Sequence, residues 1–211
     1  MQITKYQHAC LVVEEAGEQL VIDPGVLAEL PELSAVSAVL ITHIHADHLH
    51  VPNLQKLAAS NPGLTLYATD EVLAELDELE VTKVTIQPGE TVTNSLLTLE
   101  FFGGEHEIIY QQVPCKNVGV LVNNTLYYPG DSYALPNKPV EIVAFPAAAP
   151  WLKVSEVIEF LKAVKPKQAF PAHNGTLSEF GEQVNYHYIK LALEEMNAKF
   201  TYLKVGEALS R

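Results

Sequence analysis

The residues with the most chemical potential lie together in "THIHADHLH", residues 42–50. Four of the chain's eight histidines fall between positions 43 and 50, interleaved with Asp47. Imidazole and carboxylate in one segment suit divalent transition metals, with zinc, manganese and iron all acceptable. Residues two apart in an extended segment point the same way, so His43 and His45 can grip one ion. Asp47 and His48 fall where the chain turns toward a helix, so they face a different direction and can reach a second ion close by.

Each ion still needs ligands from elsewhere, and the sequence offers them at strand ends. "LEFFGGE" runs into His106, "TLYYPG" into Asp131, "QAFPA" into His173 and "EQLVI" into Asp23. In open α/β sheets, ligands bind beyond the carboxyl ends of the strands. Five loops are therefore expected to converge on one cleft. A merely solvated histidine-rich loop would not account for matching residues in the later loops.

The elements that must position these residues alternate along the chain. "QITKY" and "CLVVEEAGEQLVID" read as strands, the second a hairpin turning at Ala16-Gly17. "AVSAVLI" is a continuous apolar strand, as expected for one covered on both faces. "LHVPNLQKLAAS" reads as a helix with Pro52 in its first turn. After strand "LTLYA", helix "TDEVLAELDEL" is expected to start from Thr69 or Asp70. Strands resume in "KVTIQPG", "ETVTN", "LLTLEFFGG", "NVGVLVNNTLYYPGD", with a tight turn at Asn123-Asn124, and "VEIVAFP". The chain closes with helix "VSEVIEFLKAVK", strand "KQAFPA", helix "VNYHYIKLALEEMNAKF" and strand "TYLKV". No linker or low-complexity segment interrupts this order. The expectation is a single α/β domain over residues 1–211, built of two similar halves with sheets inside and helices outside.

Composition bounds the partners. Hydrophobic residues make up 48% of the 211 and charged residues 18%, enough apolar material for a sizeable core. Asp and Glu number 26 against 13 Lys and Arg, a net charge of −13. Such a surface repels phosphate backbones, so neither general nucleic-acid binding nor an anionic membrane is expected. The opening "MQITKYQHAC" lacks the basic and apolar stretches of a secretory signal, and no apolar run approaches the ~20 residues of a membrane span. A cytoplasmic protein acting on a small molecule is expected, with self-association left open. Cys10 and Cys115 are read as reduced thiols outside any metal-ligand spacing.

The motif "HIHADH" resembles the His-x-His-x-Asp-His signature of the metallo-β-lactamase superfamily. The likeness extends from "HACLVVE" and "VIDPG" through "GGEH" and "YYPGDS" to "FPAHNG". It implies a four-layer αββα sandwich with a two-metal site between the edges of two central sheets. Carried over, one ion would take His43, His45 and His106, and the other Asp47, His48 and His173. Asp131 would bridge them with a water or hydroxide. Within the superfamily, "HAC", "NVGVLV" and "PWLK" look like small metal-dependent hydrolases related to the ascorbate-6-phosphate lactonase branch. Zinc β-lactamases carry a cysteine where Asp131 stands. The added domains of glyoxalase II and flavodiiron proteins, and the substrate-gripping inserts of the nucleic-acid branches, are not expected here.

The implied activity is hydrolysis of a small ester, lactone or phosphoester by a hydroxide bridging two divalent ions, zinc favoured. Asp47 is expected to act both as ligand and as proton acceptor beside the nucleophile. Asp23 is expected to orient a metal-bound histidine and His8 to stand behind the ligands or in the pocket wall. Trp151 is expected to wall the substrate pocket, with Lys153 offering a charge to an anionic group and Tyr133 nearby. Tyr110 and "IIYQQVPCKN" are candidates for a flap, and His50 and His187 for surface positions. Two rival readings are an RNA-processing nuclease on the same fold and a metal-binding or sensing protein without turnover. The acidic surface opposes the first, and the full set of seven ligands opposes the second.

Overall fold

The computed structural model describes residues 1–111 and 113–211. Its first half opens with β1 (Gln2–Lys5), β2 (Leu11–Glu15) and β3 (Glu18–Ile22), an antiparallel meander. Ala16 and Gly17, both at positive φ, make the expected tight turn between β2 and β3. The direction then changes: β4 (Val36–Ile41), β5 (Thr65–Ala68) and β6 (Thr82–Thr85) add in parallel to β3. The helices α1 (Val51–Ser60) and α2 (Asp70–Ala74) make the crossovers.

The second half repeats the scheme. The strands β7 (Thr91–Asn94), β8 (Leu97–Glu105), β9 (Lys116–Val122) and β10 (Leu126–Tyr128) form another antiparallel run. Asn123 and Asn124, again both at positive φ, turn β9 into β10. The strands β11 (Ile142–Pro146), β12 (Gln168–Ala172) and β13 (Lys199–Phe200) follow in parallel, connected by α3 (Val154–Val164) and α4 (Glu179–Glu195). A last strand, β14 (Ala208–Ser210), returns to pair with β1. The two sheets have seven strands each, in the orders β14-β1-β2-β3-β4-β5-β6 and β13-β12-β11-β10-β9-β8-β7.

Alternation along the strands builds three apolar layers. Leu11, Leu20 and Leu40 face Phe101, Val120 and Phe170 between the sheets. Val21, Val39 and Ile41 face outward onto Leu54 and Leu57 of α1 and Val72 of α2. Leu121, Val143 and Ala169 face outward onto Val157 and Leu161 of α3 and Ile189 of α4. With both faces covered, these strands read as unbroken apolar runs, and each fully buried Leu or Phe contributes on the order of 1.5–3 kcal/mol. The result is the αββα sandwich expected from the sequence.

Three boundaries differ from the sequence reading. The helix α2 stops at Ala74; the acidic run after it repels itself, and Lys83 Nζ engages the freed carbonyls of Leu76 and Asp77. The helix α4 begins five residues early because the Ser178 hydroxyl accepts the Gly181 N–H, and Asn197 in the left-handed region ends it. "TYLKV" is not a strand. It leaves the second sheet after Thr201 N–H bonds Ala169 O, buries Leu203 between the sheets, and joins the first at Gly206 and Glu207. A segment that crosses between sheets cannot ladder along either.

Candidate metal centre

The topology explains why the metal-capable residues meet. The strands β3, β4 and β5 run the same way, as do β8, β10, β11 and β12. The ends of β3, β4, β8, β10 and β12 therefore open on one edge of the sandwich. Val118 N–H donates to Thr42 O and joins the sheets there.

The segment 42–49 is a string of turns rather than an extended strand, with His48 and Leu49 N–H both bonding His45 O. His43 and His45 still fall together, their rings 4.8 Å apart, and His106 joins them, with one ligand nitrogen from each within 4.8 Å of the others. Asp47, His48 and His173 gather in a second group that also includes His8. Asp131 lies between the groups. Its Oδ2 is 3.4 Å from His106 Nε2, and its Oδ1 is 3.3 Å from His48 Nε2 and 3.2 Å from His173 Nε2.

The hydrogen bonds behind the rings decide which nitrogens point inward. His48 Nδ1 donates to Asp23 Oδ2 at 2.7 Å. His106 Nδ1 donates to Glu107 O, and His173 Nδ1 to Ala148 O. The Thr42 hydroxyl donates to Asp23 Oδ2 at 2.7 Å, which leaves its oxygen to accept from His43 Nδ1 at 3.1 Å. With Nδ1 held by these bonds, a ring in its neutral form turns a bare Nε2 into the cleft. The Nε2 atoms of His43, His48, His106 and His173 and Oδ1 of Asp131 are all buried without a hydrogen-bond partner among the described residues. Buried polar atoms are ordinarily satisfied. Five such atoms converging from separate loops fit the ligand set of divalent cations.

Charge acts differently on the groups around the cleft. Burial pulls the His43 imidazole well below its ordinary pKa and keeps it neutral. Burial pushes Asp131 upward, but His48 and His173 outweigh it and hold the carboxyl well below the usual carboxylate range. For His48, burial pulls down and the carboxylates of Asp131 and Asp23 prevail, drawing it upward. These carboxylates would face a bound cation in the same way.

The supporting residues are fixed from the backbone. Asp23, fully buried and in the left-handed region, accepts the Thr42 N–H on Oδ1 at 2.8 Å besides its two bonds on Oδ2. This carboxylate thus stands behind His48. His8, also at positive φ, packs on His173 with ring centroids 3.8 Å apart. Three residues that the sequence reading missed matter equally. Thr42 links Asp23 to His43. Asn117, buried inside β9, accepts the Asp131 N–H at 3.0 Å and donates to Pro129 O at 2.9 Å. Gly25 packs so tightly on the Asp47 carbonyl that a side chain there would overlap it. A polar residue opening an apolar strand and a glycine after Asp-Pro were the available signals.

Trp151 reaches the cluster, its indole N–H donating to Asp131 Oδ2 at 3.1 Å, and Tyr133 meets it edge-on at 5.2 Å. Lys153 does not. Its Nζ turns to Glu156 at 2.9 Å, because it precedes α3 and faces solvent beside that helix's first turn. The expected anion contact from Lys153 is therefore corrected. Cys115 stands closer than expected, with Sγ 3.9 Å from His45 Nε2. His187 is exposed, and His50 stands just before α1 with an extended backbone. Of the stretch read as a flap, Gln112 lies outside the described residues; Ile108, Tyr110 and Val113 are exposed.

Comparison with known proteins identifies the family. A model described as "Beta-lactamase superfamily domain" matches residues 2–173. Protein Rv0786c of Mycobacterium tuberculosis is 35% identical over 88% of this chain and 90% of its own. The UPF0173 metal-dependent hydrolase MJ1163 of Methanocaldococcus jannaschii is 25% identical over 98% and 99%. Among solved structures, Igni18, a metallo hydrolase from Ignicoccus hospitalis, superposes with TM-score 0.76 at 17% identity, covering 99% of this chain and 97% of that one. The fold and site define a metal-dependent hydrolase of the metallo-β-lactamase type. The chain belongs to the β-lactamase superfamily. No helix among the described residues is long and apolar enough to cross a membrane.

Proposed function

We propose that the cluster holds two divalent transition-metal ions, zinc favoured, and hydrolyses a small ester or lactone. One ion would take His43, His45 and His106, the other Asp47, His48 and His173, with Asp131 between them. The observation that carries this reading is the set of inward, unpartnered Nε2 atoms divided by a single carboxylate whose two oxygens face different groups. Bound divalent ions lower the pKa of water and polarise the electrophile. The chain's own residues do the rest. Asp23, Thr42 and the carbonyls of Glu107 and Ala148 fix the ring tautomers. Asp47, partly exposed and bonded through Oδ2 to His8, would receive a proton beside the nucleophile.

The choice of a neutral carbonyl substrate over a phosphoester follows from the cleft's surroundings. Lys153 and Lys116 are engaged by Glu156 and Asp70, and the chain carries a net charge of −13. Trp151 and Tyr133 supply an aromatic wall instead. The likeness of "HAC", "NVGVLV" and "PWLK" to the ascorbate-6-phosphate lactonase branch would favour a lactone.

Elemental analysis of purified protein is expected to find two transition-metal ions per chain. A panel of p-nitrophenyl esters, lactones and bis-p-nitrophenyl phosphate should show turnover of the first two classes, lost on chelation and restored by metal. Protein that takes up no zinc, manganese or iron, or loaded protein inert toward both esters and lactones, refutes the reading.

A further inference from the structure

Trp151 is the chain's single tryptophan. It sits in the turn between β11 and α3, with its indole N–H donating to Oδ2 of Asp131 at 3.1 Å. The ring is braced edge-on by Tyr133 at 5.2 Å and by His106 at 6.1 Å. An indole nitrogen is a donor only, so the contact has one sense.

The contact selects between the two carboxylate oxygens. Oδ2 lies toward His106, while Oδ1 lies toward His48 and His173. A carboxylate can rotate about its last carbon–carbon bond, and pinning one oxygen sets the direction of both. The histidine nitrogens around Asp131 are those assigned above to metal, which leaves the indole as the side-chain donor held outside that set. Asn117 fixes the Asp131 backbone and the tryptophan fixes its carboxylate. A tryptophan that merely walled the cleft would have no need of its N–H in this place.

We propose that Trp151 is a positioning residue for Asp131, holding Oδ2 toward the group of His43, His45 and His106 and thereby setting how tightly that group binds its ion. The proposal rests on the two-ion reading above. Groups that hold a metal ligand from behind typically account for about 10–100-fold in metal affinity. Because the indole is the only one in the chain, its emission also reports the loading of the ion beside it.

Metal-free full-length protein is titrated with cobalt(II), with visible absorption counting bound ions and the emission of Trp151 following the neighbouring one. Wild-type emission should fall as that ion binds. Trp151→Phe keeps an aromatic ring and removes the N–H. It should weaken one binding step by about 10–100-fold and leave the other step and the metal-free melting temperature unchanged. Benzothienylalanine at position 151, with the shape of indole and sulfur in place of N–H, should reproduce the loss and guards against poor packing of phenylalanine. Unchanged affinities in both variants overturn the proposal. So does an equal weakening of both steps with a lowered melting temperature, which assigns the ring to packing. Wild-type protein that binds no cobalt overturns the two-ion reading and this proposal together. Two ions bound without dependence on the indole N–H overturn this proposal alone.

Discussion

His8 and Asp47 meet through a 3.0 Å hydrogen bond between Nε2 and Oδ2, while His8 Nδ1 accepts the N–H of Gly175 at 2.9 Å. The second contact fixes the first. A backbone N–H can only donate, so Nδ1 is bare and Nε2 of the neutral ring carries the proton. Burial lowers the His8 pKa and favours that neutral form. His8 is thus wired opposite to His48, His106 and His173, which protonate Nδ1 and present Nε2. Although it stands among Asp47, His48 and His173, it donates to a candidate ligand instead of being one.

His8→Ala is accordingly expected to leave the number of bound ions unchanged while weakening the Asp47 site by about 10–100-fold. Gly175→Ala should act in the same direction, since a Cβ there would stand 2.9 Å from His8 Nδ1. Metal titration of the variants checks both. A His8→Ala protein that binds one ion fewer would make His8 a ligand.

Asp131→Ala should lower metal occupancy at both groups. One carboxylate between two cations offsets their mutual repulsion, and no other carboxylate touches both histidine groups among the described residues. Occupancy should fall in the group of His43, His45 and His106, which then keeps no carboxylate, as well as in the group of Asp47, His48 and His173, which keeps one. Hydrolytic activity should drop by roughly 100-fold or more, the upper end of what ligand-shell losses cost. Far-UV circular dichroism should stay near wild type, because Asp131 contributes no side chain to the apolar layers. Full metal content with full activity in this variant would remove Asp131 from the site.

Asp23→Asn replaces an acceptor that serves Thr42 N, Thr42 Oγ1 and His48 Nδ1 at once. The amide can accept on one side only, so His48 loses the partner that fixes its tautomer. Metal affinity should fall by about 10–100-fold with the fold retained. Thermal unfolding of the metal-free variant distinguishes the outcomes: collapse of the fold with unaltered metal affinity would make Asp23 a structural turn residue.

Much of this site was legible because its residues punctuate apolar strands. His43, Asp131 and His173 each follow a covered apolar strand and His106 follows the half-buried β8, and strand ends in such sheets share one edge. The hairpin turns at Ala16-Gly17 and Asn123-Asn124 were legible because positive φ restricts residue choice. What stayed hidden depends on packing between distant segments. Nothing local marks Asn117 as the partner of a residue 14 positions away. The crossing of "TYLKV" between sheets looks locally like any alternating strand. Lys153 illustrates the converse: its sequence position beside Trp151 suggested the cleft, but the start of α3 turns it to solvent.

The two cysteines should differ in reactivity. Cys10 is fully buried, and burial pushes its thiol far above the ordinary range. Cys115 is partly exposed; burial again raises it, with Glu71 adding to the rise. A raised pKa means less thiolate at a given pH, so alkylation should be slower than for a free thiol and accelerate as pH rises past the usual thiol range. Iodoacetamide on native protein should label Cys115 alone, and both residues after unfolding. Peptide mass spectrometry checks this, and rapid labelling of Cys10 in the native state would contradict its place in the core.

Gly25→Ala tests whether the turn after β3 shapes the metal centre through the backbone. Gly25 N–H bonds Asp23 O at 2.8 Å, and Val26 N–H bonds Ala46 O at 2.8 Å, so the "DPG" turn lies flat against residues 46–48. The Cβ of an alanine would overlap the Asp47 carbonyl and crowd His48 N. Both are main-chain atoms and cannot swing aside as a side chain would. The peptide carrying Asp47 and His48 must therefore shift, taking two candidate ligands with it. Overpacking of this kind costs about 1–3 kcal/mol, and the backbone contact puts this site at the upper end. Metal affinity of the Asp47 group should fall while the group of His43, His45 and His106 is disturbed less. Gly25→Ala protein with wild-type melting temperature and wild-type affinity at both steps would show that the turn can relax without moving the ligands.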